Sequence, residues 1–132
     1  MSTPRYDLEE RTAQFGESAI DFAKAIPVNL ITTPLISQLV RTSTSVGVNY
    51  GEADNASSEK NIKHSIRICQ RESKETKHGL RMISRAEPQL KDNTRRLWQE
   101  GHELLLIFSA IIRWLPRKWS FPTDVLNLDL GT

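Results

Sequence analysis

The segment Arg41–Ala53, RTSTSVGVNYGEA, restricts this chain more than any other. Val40, Ser43, Val46, Gly47, Tyr50 and Ala53 recur at spacings of three and four, so they line one face of a helix. Most of these residues are small. A glycine inside a helix costs about 1 kcal/mol against alanine, and Ser and Thr are middling helix formers. Such a cost is tolerated where small side chains let another backbone come close. The pattern therefore predicts a helix clamped by its neighbours, with Tyr50 as its one large anchor. A loose Ser/Thr-rich loop is the alternative, and the apolar periodicity on both sides argues against it.

Three further helices follow from the flanking residues. Asp7 and Glu10 have the spacing of a capping box at the start of a first helix, which Pro27 stops. Within it, Leu8, Phe15 and Phe22 interleave with Thr12, Ala19 and Ile26 as a heptad seam. Thr33-Pro34 reads as the cap and first position of the second helix, which runs to about Asn55. Ser57 or Ser58 caps the third, whose core series is Ile62, Ile66, Cys69, Ser73, Thr76, Leu80 and Ile83, ending at Pro88. The fourth starts near Asp92 or Asn93 and is expected to end before Pro116. Short loops between four helices predict an all-α, up-down-up-down antiparallel four-helix bundle over residues 1–115. Residues 116–132 read as a tail: a short strand, a docking peptide or a disordered segment. The second half of the fourth helix, LLLIFSAIIRWL, is apolar nearly all round, more than a monomer covers, and points to self-association.

Composition excludes several classes. At 132 residues and 38% apolar, the chain has room for one domain with a core. No apolar run approaches the roughly 20 residues of a spanning helix; Leu104–Leu115 is short and contains Arg113. The N-terminal MSTPRYDLEE has no secretion-signal pattern, and the single cysteine, Cys69, fits a reducing compartment, so a cytoplasmic, non-membrane protein is expected. A net charge of +2 names no partner, which leaves the distribution of charge to decide.

Gln38-Leu39, Arg41, Thr44-Ser45-Val46-Gly47, Asn49-Tyr50 and Glu52-Ala53, then Ser58-Glu59-Lys60, Ile68, Glu72, Glu75 and Leu80, carry a resemblance. The chain resembles the bacterial four-helix-bundle family of proteins encoded in intervening sequences of large-subunit ribosomal RNA genes. That fold also includes the accessory variability determinant (Avd) proteins of diversity-generating retroelements. The resemblance spans the chain to about Trp114. It implies a ring-shaped homo-oligomer, a homopentamer, without catalytic activity. For the retroelement branch it also implies a reverse transcriptase partner and nucleic-acid binding. One departure is His78-Gly79, where the family usually has an aromatic pair.

The outer face of the third helix is the main candidate site. Lys60, His64, Arg67, Arg71, Lys74, His78, Arg81 and Arg85 recur at three and four, flanked by Lys63 and Lys77. Between Glu59 and Arg85 stand eight Lys/Arg against three Glu. A basic row on a rigid rod can follow phosphates and release their counterions. A solvated face paired locally to Glu72 and Glu75 is the plainer alternative. No aromatic residue interleaves with the row in sequence to stack bases. Arg41 and Glu52 are expected to form structural ion pairs with Glu72, Glu75 and the basic residues of the third helix, fixing register. Glu75-x-x-His78 has the spacing of a di-iron motif but occurs once, so neither metal nor cofactor is expected. Cys69 lies on the core series, and no catalytic triad or phosphate loop is present. Trp98 and Trp114 are expected to pack in the bundle or between subunits, and Trp119 with Phe121 to anchor a partner or do the same.

The sequence thus points to a non-enzymatic oligomeric adaptor, of RNA-binding or other nucleic-acid-binding type and Avd-like. The alternative is a structural ring of the ribosomal-RNA intervening-sequence type with no nucleic-acid role. A metal-dependent oxidase is a third, weaker reading.

Overall fold

The computed structural model describes the backbone of residues 8–127 and the side chains of residues 8–115. Four helices, α1 (Leu8–Lys24), α2 (Thr32–Asp54), α3 (Glu59–Ala86) and α4 (Lys91–Asn127), follow one another, with a single 3₁₀ turn, Pro88–Leu90, before α4. Among the described residues there is no strand.

Cross-helix contacts give the directions. Gly16 faces Thr44 while Gly47 faces Thr12, so α1 and α2 are antiparallel. Thr76 meets Thr42 and Cys69 meets Val46, which sets α2 against α3. Gln70 bonds Ser109 and Lys77 bonds His102, which sets α3 against α4. The bundle is up-down-up-down, with α3 between α2 and α4 and α1 against α2 and, less extensively, α4. Arg11 ties α1 to α4 through a two-pronged contact with Glu100 at 2.7 and 2.9 Å, and reaches Glu103 at 2.9 Å. Glu100 and then Glu103 raise the Arg11 pKa against the cost of its burial.

All six residues of the expected α1 seam are buried: Leu8, Thr12, Phe15, Ala19, Phe22 and Ile26. On α3 the buried series is Ile66, Cys69, Ser73, Thr76, Leu80 and Ile83, with Ile62 half-buried. Small residues do draw backbones together. A Cβ on Gly16 would lie 3.3 Å from the Thr44 Cα, and one on Gly47 would lie 3.5 Å from the Thr12 carbonyl. Tyr50 tilts against Phe108 with ring centroids 6.5 Å apart.

Two helix ends differ from expectation. Thr33 does not cap α2. The Asn29 carboxamide accepts from the backbone N–H of Ile31 and Thr32, both at 2.9 Å, and the helix starts two residues earlier, at Thr32. Pro34 still falls within the first turn, where its missing N–H has no intrahelical role. Helix α4 does not stop at Pro116. Its backbone stays helical to Asn127, where the sequence left a short strand, a docking peptide or a disordered segment open. A proline forfeits one ladder bond, at about 3 kcal/mol in a helix interior, without ending the bonds on either side. The other caps match. Ser58 Oγ accepts from Asn61 N, and Asn55 closes α2. Asp7 and residues 128–132 lie outside the described residues.

Gly79 has no atom within 4 Å of an added Cβ, beside a shallow α2–α3 groove lined by Leu35 and Met82. The aromatic pair that the resemblance leads one to expect is absent here, and the space it would take is open. Gly79→Ala should therefore gain the helix-propensity difference alone, raising Tm by about 3–5 °C. Gly16→Ala meets the Thr44 backbone and should leave Tm level or lower it. Thermal denaturation followed by circular dichroism compares the two directly.

Candidate nucleic-acid interface

Helix α3 is set by the Ser58 cap, by Glu59 in its first turn and Arg85 in its last, and by a buried face of three-four periodicity. Its buried face fixes which residues point outward. Lys60, His64, Arg67, Arg71, Lys74, His78, Arg81 and Arg85 are all exposed along the opposite side. From Lys60 to Arg85 the row spans about 37 Å at 1.5 Å per residue, close to one turn of duplex.

The flanking positions are less free. Lys63 pairs with Glu59 at 3.2 Å. Lys77 leaves the row: its Nζ lies 2.9 Å from His102 Nδ1 and 4.4 Å from the centroid of the Trp98 ring. An ammonium can only donate, so Nδ1 accepts and the neutral His102 tautomer carries its proton on Nε2. Lys77 turns inward because it sits beside the buried Ser73–Leu80 line, where the α3–α4 seam is nearer than solvent.

The acidic residues neighbouring the row behave unequally. Glu72 is only 3% exposed. Its Oε2 accepts from Arg71 at 3.1 Å, and its Oε1 lies 3.8 Å from Arg41 with no hydrogen bond. Arg41 also lies 3.6 Å from Glu75, and Arg71 lies 4.0 Å from it. The expected Arg41–Glu72–Glu75 cluster across α2 and α3 therefore forms, and it engages Arg71. Glu52 does not join it. It is exposed near the C-terminal end of α2, and among the described residues no ion pair within 4 Å involves it. The reason is position: Glu52 lies more than two turns along the helix from Arg41.

Helix α4 contributes basic residues that the α3 periodicity did not reveal. Arg81 and Arg85 share an open groove of ≈ 850 Å³ with Lys91, Arg95 and Trp98, at the hairpin between the two helices. A second groove of ≈ 470 Å³ along the same seam brings Arg67, Arg71 and Lys74 together with Leu106. The α4 cations stand four apart, at Lys91 and Arg95, a spacing visible in sequence. Which helix face they share with Trp98 becomes apparent only once α4 is docked.

No family model and no curated protein matches the chain. Among solved structures, it is similar to a protein of unknown function from the S23 ribosomal protein family of Bacteroides thetaiotaomicron. The TM-score is 0.69 at 21% identity, over 79% of this chain and 96% of that one. The likeness shows the fold.

Other candidate chemistry separates in space. Glu75 faces arginines, while His78 is exposed. Among the described residues no three of His, Cys, Asp and Glu come together as a metal site, and no helix is long and apolar enough to cross a membrane. The side chains of Trp119 and Phe121 lie outside the described set. Cys69 is fully buried, with its Sγ 3.6 Å from the Val46 carbonyl, and burial pushes its pKa up to about 12. The thiolate is the reactive species and is scarce several units below that value. A thiol reagent at pH 8 should modify Cys69 only as fast as the bundle opens, and rapidly in denaturant. Fast labelling of the folded protein would contradict this.

Proposed function

We propose that this protein is a non-enzymatic oligomeric adaptor that binds nucleic acid along the basic face of α3. The observation that carries the reading is the exposed row Lys60, Arg67, Lys74, Arg81 and Arg85, prolonged at the α3–α4 hairpin by Lys91 and Arg95. None of these seven forms an ion pair within 4 Å among the described residues. Such cations meet phosphates without first breaking an internal contact. The family resemblance, carried by the α2 and α3 residues quoted above, implies an Avd-like role, with a reverse transcriptase as the protein partner.

Assembly into a ring, a pentamer by resemblance, is supported by α4. Leu106 is 55% and Trp114 48% exposed. With the exposed Ala110 between them they form an i, i+4, i+8 row along the outer face of the helix. The same row supports the second reading, a structural ring without nucleic acid. Sedimentation should give a mass that is a multiple of the 15.1 kDa chain, and Leu106→Asp should reduce it. A mass of one chain at all concentrations counts against both readings.

Charge reversal distinguishes them. Arg67→Glu, Lys74→Glu, Arg81→Glu and Arg85→Glu together should abolish binding to RNA or DNA and leave the solution mass unchanged. Binding by the unaltered protein should weaken at least about tenfold between low and moderate salt. No binding at any salt, or disrupted assembly in the quadruple variant, would favour the structural ring.

A further inference from the structure

The groove at the α3–α4 hairpin differs in kind from the rest of the basic face. Arg81 and Arg85 enter it from α3, and Lys91 and Arg95 from α4. Among the described residues that line it, none is acidic. Its volume of ≈ 850 Å³ is that of a small-ligand site, enough for one or two nucleotides. Trp98 also lines it and gives the cationic groove an aromatic wall.

The surroundings of Trp98 show which part of the indole is engaged. The His102 ring stacks on it, with centroids 5.2 Å apart and planes within 12°. Lys77 Nζ lies 4.4 Å from the indole centroid and 2.9 Å from His102 Nδ1. A hydrogen bond to Nδ1 lies near the imidazole plane. That plane is almost parallel to the indole, so Lys77 cannot lie on the far side of the indole from His102. Both therefore cover the same face. The opposite face is covered by neither of them, and the ring, half-buried against the core, is held by the pair where it borders the groove. A braced aromatic ring among cations that carry no internal ion pair has the parts of a single-strand site: a stacking surface for a base, and charges for the phosphates on either side. In a duplex every base is already stacked between its neighbours, which leaves such a ring without a use.

We infer that this groove binds single-stranded nucleic acid, with Trp98 stacking one unpaired base and Arg81, Arg85, Lys91 and Arg95 holding the adjoining phosphates. The inference rests on the reading of α3 as a nucleic-acid surface and specifies its substrate class: a strand end, loop or unpaired tract, not a continuous duplex. The strand continues along the α3–α4 seam towards Lys74 and Arg67, past the Lys77–His102 brace.

The test uses the full chain and a labelled single-stranded RNA of about a dozen nucleotides, within the usual span of such sites. Fluorescence anisotropy compares it with a duplex of the same length at fixed salt. The single strand is expected to bind more tightly. Trp98→Leu, which keeps an apolar helix former, is expected to weaken single-strand binding roughly tenfold and to leave duplex binding within about twofold. A strand carrying an abasic tract is expected to bind the unaltered protein as weakly as the normal strand binds the variant. Should Trp98→Leu fail to fold by circular dichroism, the abasic comparison decides alone. Equal binding of single strand and duplex, with no effect of Trp98→Leu or of base removal, overturns the inference. The α3 reading then stands only if the quadruple charge reversal still abolishes binding. Absence of binding to either form removes both.

Discussion

The bundle depends on hydroxyl groups that are satisfied within their own helices. Thr12 donates to Leu8 O, Ser43 to Leu39 O, Thr76 to Glu72 O and Thr94 to Leu90 O, each at 2.7–2.8 Å. An unpaired buried hydroxyl costs about 1–3 kcal/mol, so without these bonds the α1, α2 and α3 faces could not be buried. With them, a polar side chain becomes a small neutral knob, and helices rich in Ser, Thr and Gly pack with backbones close together. The Thr76 and Thr42 hydroxyl oxygens also lie within hydrogen-bond distance, 2.8 Å apart, one of the points where polar groups join α2 and α3. Ser73 Oγ and Glu72 Oε1 are the buried side-chain oxygens left without a hydrogen bond among the described residues. Both lie on the α3 line that faces α2. Arg41 and Arg71 gather around Glu72 to compensate its charge, which costs that carboxylate its own freedom and draws one cation out of the basic row.

Much of this was legible from periodicity. The α1 seam, the α3 core series and the location of the basic row all follow from which residues recur at three and four, since burial on a helix is a matter of angle. What was not legible depends on a second helix. Lys77 looks like a flanking member of the row until His102 and Trp98 arrive from α4. Glu52 carries the right charge for the α2–α3 ion-pair cluster but lies too far along the rod to reach it. Thr33-Pro34 has the composition of a helix start, yet Asn29 begins α2 because its carboxamide can reach two backbone N–H groups at once. Pro116 reads as a stop because its local cost is real, but that cost is confined to one bond, and the apolar turns before it carry α4 onward.

The candidate interface shows the same division. Half of it is written along α3 as an evenly spaced series. The other half comes from the first turns of α4, where Lys91, Arg95 and Trp98 are separated by ordinary helical spacing and attract no notice alone. Only the antiparallel hairpin places them opposite Arg81 and Arg85. Sequence reading found a row of charges with no aromatic residue in it. The folded chain supplies the aromatic ring from the neighbouring rod and braces it with Lys77, a residue that sequence had placed on the flank of the row.

Helix α4 outlasts its partner. Its 37 residues span about 55 Å, whereas the 28 residues of α3 span about 42 Å. Because α4 begins at the hairpin, all of its surplus length emerges at the opposite pole of the molecule. The protein therefore has a head and a handle. The candidate groove at the hairpin and the far end of α4 therefore stand a whole helix apart, at a distance set by the residue count of that helix.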